Sequence, residues 1–81
     1  MRQLCFIDLR QAREVLSEMG IELSARQMKR AAEADSQGRR KLPFFIDPID
    51  GKLKIEKGTL QKIYMELHVE ASKNLRGTFN K

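Results

Sequence analysis

Residues 41–56 read Lys-Leu-Pro-Phe-Phe-Ile-Asp-Pro-Ile-Asp-Gly-Lys-Leu-Lys-Ile-Glu, and this stretch decides the fold. Leu42, Phe44 and Ile46 alternate with a period of two, and Leu53 and Ile55 resume the alternation on the other side of Asp47-Pro48-Ile49-Asp50-Gly51. The intervening residues are those that reverse a chain, so residues 41–56 are expected to form a β-hairpin, with Asp47 and Asp50 as turn residues. Pro43 has no ladder donor and suits an edge. Phe45 is out of phase with its neighbours; it either covers the far side of the hairpin and packs into the core, the preferred reading, or is exposed as a partner contact. A two-stranded hairpin is marginal alone and must pack on something else.

That support is expected from the residues before and after it. Asp8 is an N-cap residue, and Leu9, Ala12, Val15, Leu16 and Met19 follow at helical spacing, with Arg10, Arg13, Glu14 and Glu18 facing out. Gly20 stops this helix in a left-handed conformation, and Ile21 can fold back on the last turn. Ser24 and Gln27 make a capping box that opens a second helix with a narrow inner face of Met28, Ala31 and Ala32. Two helices joined by so short a turn are a helix-turn-helix. Residues 35–40 form a polar loop, and from about Thr59 a third helix is expected with Leu60, Ile63, Tyr64 and Leu67 on its inner stripe. It is expected to fade after Val69 and Ala71 into a flexible basic tail over residues 72–81. The fold class is therefore α+β, with one domain over residues 1–71.

Length and composition restrict function. Eighty-one residues hold a modest core and no second domain or deep cleft. The densest apolar run, Pro43-Phe44-Phe45-Ile46, is too short to span a membrane, and the first residues lack the apolar core of a secretion signal. The single Cys5 can make no internal disulfide, which points to the cytoplasm; with only His68 beside it there is no zinc set. No nucleophile–base–acid order is present, and Glu14, Glu18 and Glu22 read as a solvated face. The chain is expected to be no enzyme and to need no cofactor.

Charge carries the positive indication. Sixteen Lys and Arg against eleven Asp and Glu leave a net of +5, and nine of the bases lie within residues 24–57. A basic middle on a near-neutral start suits a polyanion. On the second helix Arg26, Gln27, Lys29 and Arg30 lie on the outer arc, and Arg and Gln are the side chains that pair bidentately with guanine and adenine in the major groove. Ser24 stands at the helix N-terminus, whose free N–H groups suit a phosphate. Arg39, Arg40 and Lys41 lead into the hairpin, and Lys52 and Lys54 lie on its return strand, opposite in facing to Leu53 and Ile55; there they can hold phosphates or the minor groove. The plain alternatives are a solvated helix face and an edge strand protected by Lys.

The order helix, turn, helix, hairpin, helix resembles the excisionase and MerR-type winged-helix family of DNA-binding domains. The resemblance lies in Leu9–Met19 with Gly20-Ile21, in Ser24-Ala25-Arg26-Gln27-Met28-Lys29-Arg30, in Lys41-Leu42-Pro43-Phe44-Phe45, and in Gly51-Lys52-Leu53-Lys54-Ile55 with Thr59-Leu60; it covers roughly residues 8–67. The turn departs from the family pattern by carrying Glu22-Leu23 before the cap, and the loop ahead of the hairpin is longer. The resemblance implies a winged helix that binds double-stranded DNA. It implies an excisionase-like architectural factor assisting site-specific recombination of a mobile element, with a recombinase or another DNA-bound protein as partner and cooperative self-association on DNA. MerR-type regulators usually add a long dimerising helix and an effector domain; neither is read here, and a bare domain suits an accessory factor. The alternatives are a small transcriptional regulator or plasmid-transfer or partition accessory protein with the same fold, and a protein-interaction module that binds no DNA.

Overall fold

The computed structural model describes residues 3–79, with side chains described through Lys73. It is a small α+β structure of three helices and a three-stranded antiparallel sheet: β1 (Phe6–Ile7), α1 (Leu9–Glu18), α2 (Ala25–Ala32), β2 (Phe45–Ile46), β3 (Leu53–Glu56) and α3 (Lys57–Phe79).

The two helix starts are dictated locally. The Asp8 carboxylate accepts the Gln11 backbone N–H at 2.8 Å, and the Gln11 side chain accepts the Asp8 N–H in return. Ser24 and Gln27 make the same reciprocal pair at 3.1 and 2.9 Å. Each box satisfies two N–H groups that a helix start leaves without partners. α1 ends as its glycine dictates. Gly20 has φ +87°, its N–H donates to Ser17 O, and Ile21 N–H donates to Leu16 O at 2.8 Å. This pattern needs a left-handed residue just past the helix. Arg13, expected to face solvent, instead donates from Nε to Leu23 O at 3.1 Å, and Ser17 Oγ donates to Glu22 at 2.8 Å. These two bonds hold the turn that carries the additional Glu22-Leu23.

The hairpin forms with less strand than its sequence suggests. Only Phe45 and Ile46 pair with β3, in the register Phe45↔Lys54 and Ile46↔Leu53. Residues 41–44 run along the end of α2 instead, where Leu42 N–H donates to Ala31 O at 3.1 Å. The other edge of β3 is taken by a strand that the hydropathy pattern does not announce: Phe6↔Glu56 and Ile7↔Ile55 pair antiparallel. β3 is thus the central strand.

The core is one cluster of Ile7, Ala12, Val15, Leu16, Met28, Ala32, Leu42, Phe44, Ile55 and Leu60, with Leu53, Ile63 and Tyr64 packed against it. Leu42 and Phe44 are buried, so the strand phase holds. Four expectations are corrected. Ile46 pairs with Leu53 and shares the phase of Leu42 and Phe44, but it is 57% exposed. Phe45 does not pack in the core; it lies on the outer face, 43% exposed, with its ring edge-on to Phe6 at 5.7 Å. Met19 is exposed because α1 ends there and the chain turns away. Leu67 continues the stripe of α3 but is 59% exposed, since that helix has already passed the end of the core.

α3 also starts earlier and runs further than expected. It begins at Lys57, with no linker after β3, because Glu56 caps it: its carboxylate accepts the N–H groups of Gly58 and Thr59 and the Thr59 hydroxyl, at 2.9–3.0 Å. The helix continues through Phe79, past the Ala71 boundary; no Pro interrupts that stretch, and Gly77 is carried within it. Asn80 and Lys81, the end of the expected tail, lie outside the described residues.

Glu56 also accepts the Cys5 N–H at 3.3 Å, so one carboxylate ties β1 to the start of α3. The Gly58 N–H above all, with those of Cys5 and Thr59, holds its pKa down to about 2 from an ordinary 4.5. A folded-state pKa below the unfolded value contributes stability above pH 4.5, lost as pH falls toward 2. Thermal melts between pH 7 and pH 2.5 should show wild type losing stability in that window. Glu56→Gln should start lower at pH 7 and decline less, keeping the part due to Asp47 and Asp50, whose pKa values are also lowered. An equal decline in both proteins would show that Glu56 is not its source.

Candidate nucleic-acid interface

The ten residues singled out in the sequence divide by what their side chains already do. Ser24 and Gln27 are engaged at the start of α2. The Gln27 carbonyl oxygen accepts the Ser24 N–H, so pairing that amide with an adenine edge would require opening the cap. Arg40 donates from Nε to Ala32 O at 2.7 Å, closing the C-terminal end of α2. Arg39 lies 3.7 Å from Asp35, with both side chains well exposed, a weak pairing.

Lys54 is the clearest revision. Its facing is as expected, opposite Ile55, but its ammonium bridges Asp47 and Asp50, each at 3.1 Å. The two carboxylates are held in turn: Asp47 Oδ1 accepts Ile49 N–H and Asp50 Oδ1 accepts Lys52 N–H, each near 2.8–2.9 Å. The Lys54 pKa is raised, through its hydrogen bonds to Asp47 and then Asp50. Lys54 therefore closes the hairpin turn and has little charge to offer a ligand. Turn chemistry alone accounts for the two aspartates in the sequence; their second use, as partners of a strand lysine four and seven residues on, has no local signal there.

Among the described residues, Arg26, Lys29, Arg30, Lys41 and Lys52 are exposed and make no hydrogen bond or ion pair from their side chains. Arg26 and Arg30 are one helical turn apart with Lys29 beside them, so α2 presents three unengaged cations on one face. Its opposite face is held by buried Met28 and Ala32, which fixes which side looks outward. Arg30 also lines a shallow concavity of about 340 Å³ with Arg39, Arg40 and Lys41, and Glu33 and Asp35 complete the wall. The structure thus brings the α2 group and the loop group together. Lys52 lies elsewhere, in a depression beside the start of α1 with Asp8 and Arg10. Arg10 is a basic neighbour that its place on the first helix gave no reason to include.

A second exposed surface is apolar. Phe6 and Phe45 stand on the outer face of the sheet, opposite Glu56 and Lys54, and Leu4, Ile46 and Ile49 are exposed as well. No group of His, Cys, Asp and Glu among the described residues is placed to hold a metal ion, and no helix there is long and apolar enough to cross a membrane. Compared with known proteins, the chain matches no family model, no curated protein and no solved structure.

Proposed function

We propose that this chain is a winged-helix protein that binds double-stranded DNA, with α2 as the recognition helix and the β2–β3 hairpin as the wing. The observation that carries the reading is the outer face of α2: Arg26, Lys29 and Arg30 are exposed, unengaged and aligned on a helix whose other side is anchored in the core. A helix fits the major groove, and Arg is the side chain most suited to the guanine edge there. The order of elements and the excess of positive charge support the same conclusion. Within it we favour an excisionase-like architectural factor acting with a recombinase in the cytoplasm and associating cooperatively on adjacent sites. A small transcriptional regulator or plasmid-transfer accessory protein would use the same contacts. The reading assigns no catalytic step and no cofactor to the chain.

The apolar outer face of the sheet favours a second reading, a module that docks on a protein through Phe6 and Phe45 without binding DNA. Duplex titrations at several salt concentrations separate the two. If the basic side chains of α2, residues 39–41 and the hairpin together neutralise four to six phosphates, log K should fall against log salt with a slope of about −4 to −5. A flat response, or no binding at about 50 mM salt, would leave the protein-docking reading.

Base reading and backbone holding should separate on a site selected from random duplexes. Arg26→Ala and Arg30→Ala should each cost about 1–3 kcal/mol on that site and less on random DNA, whereas Lys52→Ala should weaken both alike. Equal losses on the two DNAs for the α2 variants would remove the recognition assignment.

A further inference from the structure

We propose that the concavity between the end of α2 and residues 35–41 is a phosphate site, and that its occupant is a backbone phosphate of duplex DNA. The inference rests on the DNA-binding reading and adds to it one fixed point of contact. Arg39, Arg40 and Lys41 line this concavity and are the residues assigned to the phosphate; Arg30, which lines it too, is left to the base edge. Guanidinium forks match phosphate oxygens two at a time, which a scatter of lysines does not.

The two acids in the wall do not cancel this charge. One Asp35 oxygen, Oδ1, is turned to its own loop, accepting the N–H groups of Gln37 and Arg39 at 2.8 and 2.9 Å, and the other lies 3.7 Å from Arg39 Nε, an exposed and weak pairing that a phosphate can displace. With Glu33 counted as well, four bases face two acids.

Arg40 gives the site its rigidity. Its Nε–H is committed to Ala32 O at 2.7 Å, and the next residues are pinned by Leu42 N–H on Ala31 O. A guanidinium has five N–H donors, so about four remain after that bond. They belong to a side chain that has already lost most of its freedom, so a ligand orders little more on binding. The same bond compensates the negative end of α2, which would otherwise repel an anion at this place.

The shape selects a polymer over a small molecule. The concavity is shallow and open, so it cannot enclose a free metabolite. It lies at the end of the cationic face of α2 and shares Arg30 with it, so a polyanion lying along that face passes directly over it.

The test uses the full chain and the double variant Arg39→Ala/Lys41→Ala, both positions exposed, with a thermal melt to check that the fold is kept. Inorganic phosphate is titrated at constant ionic strength while the arginine Nε–H signals are followed by nitrogen-15 NMR. The Arg40 signal should move saturably in wild type and hardly at all in the variant. In duplex titrations the variant should lose about 0.9 from the salt slope, the share of one phosphate. An unmoved Arg40 signal, or an unchanged slope with duplex binding retained, overturns the inference and leaves the DNA-binding reading standing. Failure of wild type to bind duplex overturns both; a phosphate response that survived it would assign the concavity to a phosphorylated protein instead.

Discussion

Phe44→Ala is expected to unfold the helices together with the hairpin, whereas Phe45→Ala costs far less. The two side chains are adjacent and chemically identical, and they differ only in facing. Phe44 is 3% exposed within the cluster that joins Leu16 and Met28 of the helices to Ile55 of the sheet and Leu60 of α3. Removing a buried Phe ring typically costs about 3–5 kcal/mol, while a domain of this length is expected to have about 4–12 kcal/mol in total. Phe45 leans on Phe6 at the surface, so its truncation loses one edge-on ring contact, about 0.5–1.5 kcal/mol. Far-UV circular dichroism melts of both variants decide the matter. A parent-like melt for Phe44→Ala would mean that the hairpin is an appendage, and a collapsed Phe45→Ala would mean that the strand phase is off by one.

Leu60→Ala and Leu67→Ala should diverge in the same way along α3. Both belong to the apolar stripe that helical spacing defines. Leu60 is fully buried against the sheet and α1, and its truncation should cost about 2–5 kcal/mol. At about 4–8 °C per kcal/mol for a domain of this size, the melt should fall by at least about 8 °C. Leu67 stands two turns beyond, past the end of the core, and its truncation should move the midpoint by no more than a surface change does, within about 0.5 kcal/mol. Equal losses would place the distal part of α3 against something that the isolated chain does not contain, such as a second copy.

What was legible in the sequence follows from distance along the chain. The caps at Asp8 and Ser24, the stop at Gly20 and the turn between Asp47 and Gly51 depend on residues within a few positions of each other, and all appear where local chemistry puts them. β1 was not legible: two residues have no period, and the partner that makes them a strand lies beyond position 52. Periodicity identified the stripe of α3 but carries no information on where its neighbours end, so Leu67 was placed in a core that stops at Tyr64. For the candidate site, residue type and facing were readable, and engagement was not. Arg26, Lys29 and Arg30 are exposed as expected, but Lys54 and Arg40 have already been recruited to hold a turn and a helix end.

β3 passes into α3 without an intervening residue, and the carboxylate at that junction also binds the first strand. A hairpin attached in this way has no hinge. It cannot swing toward a ligand independently of the helix behind it, because the joint is made of a sheet edge, a helix start and one shared side chain. Under the DNA-binding reading, the angle between α2 and the hairpin is then a fixed gauge offered to the duplex. Any mismatch between that gauge and straight B-form DNA must be absorbed by the nucleic acid, through bending or a change of groove width. Base steps that deform easily would be preferred at positions the protein never touches.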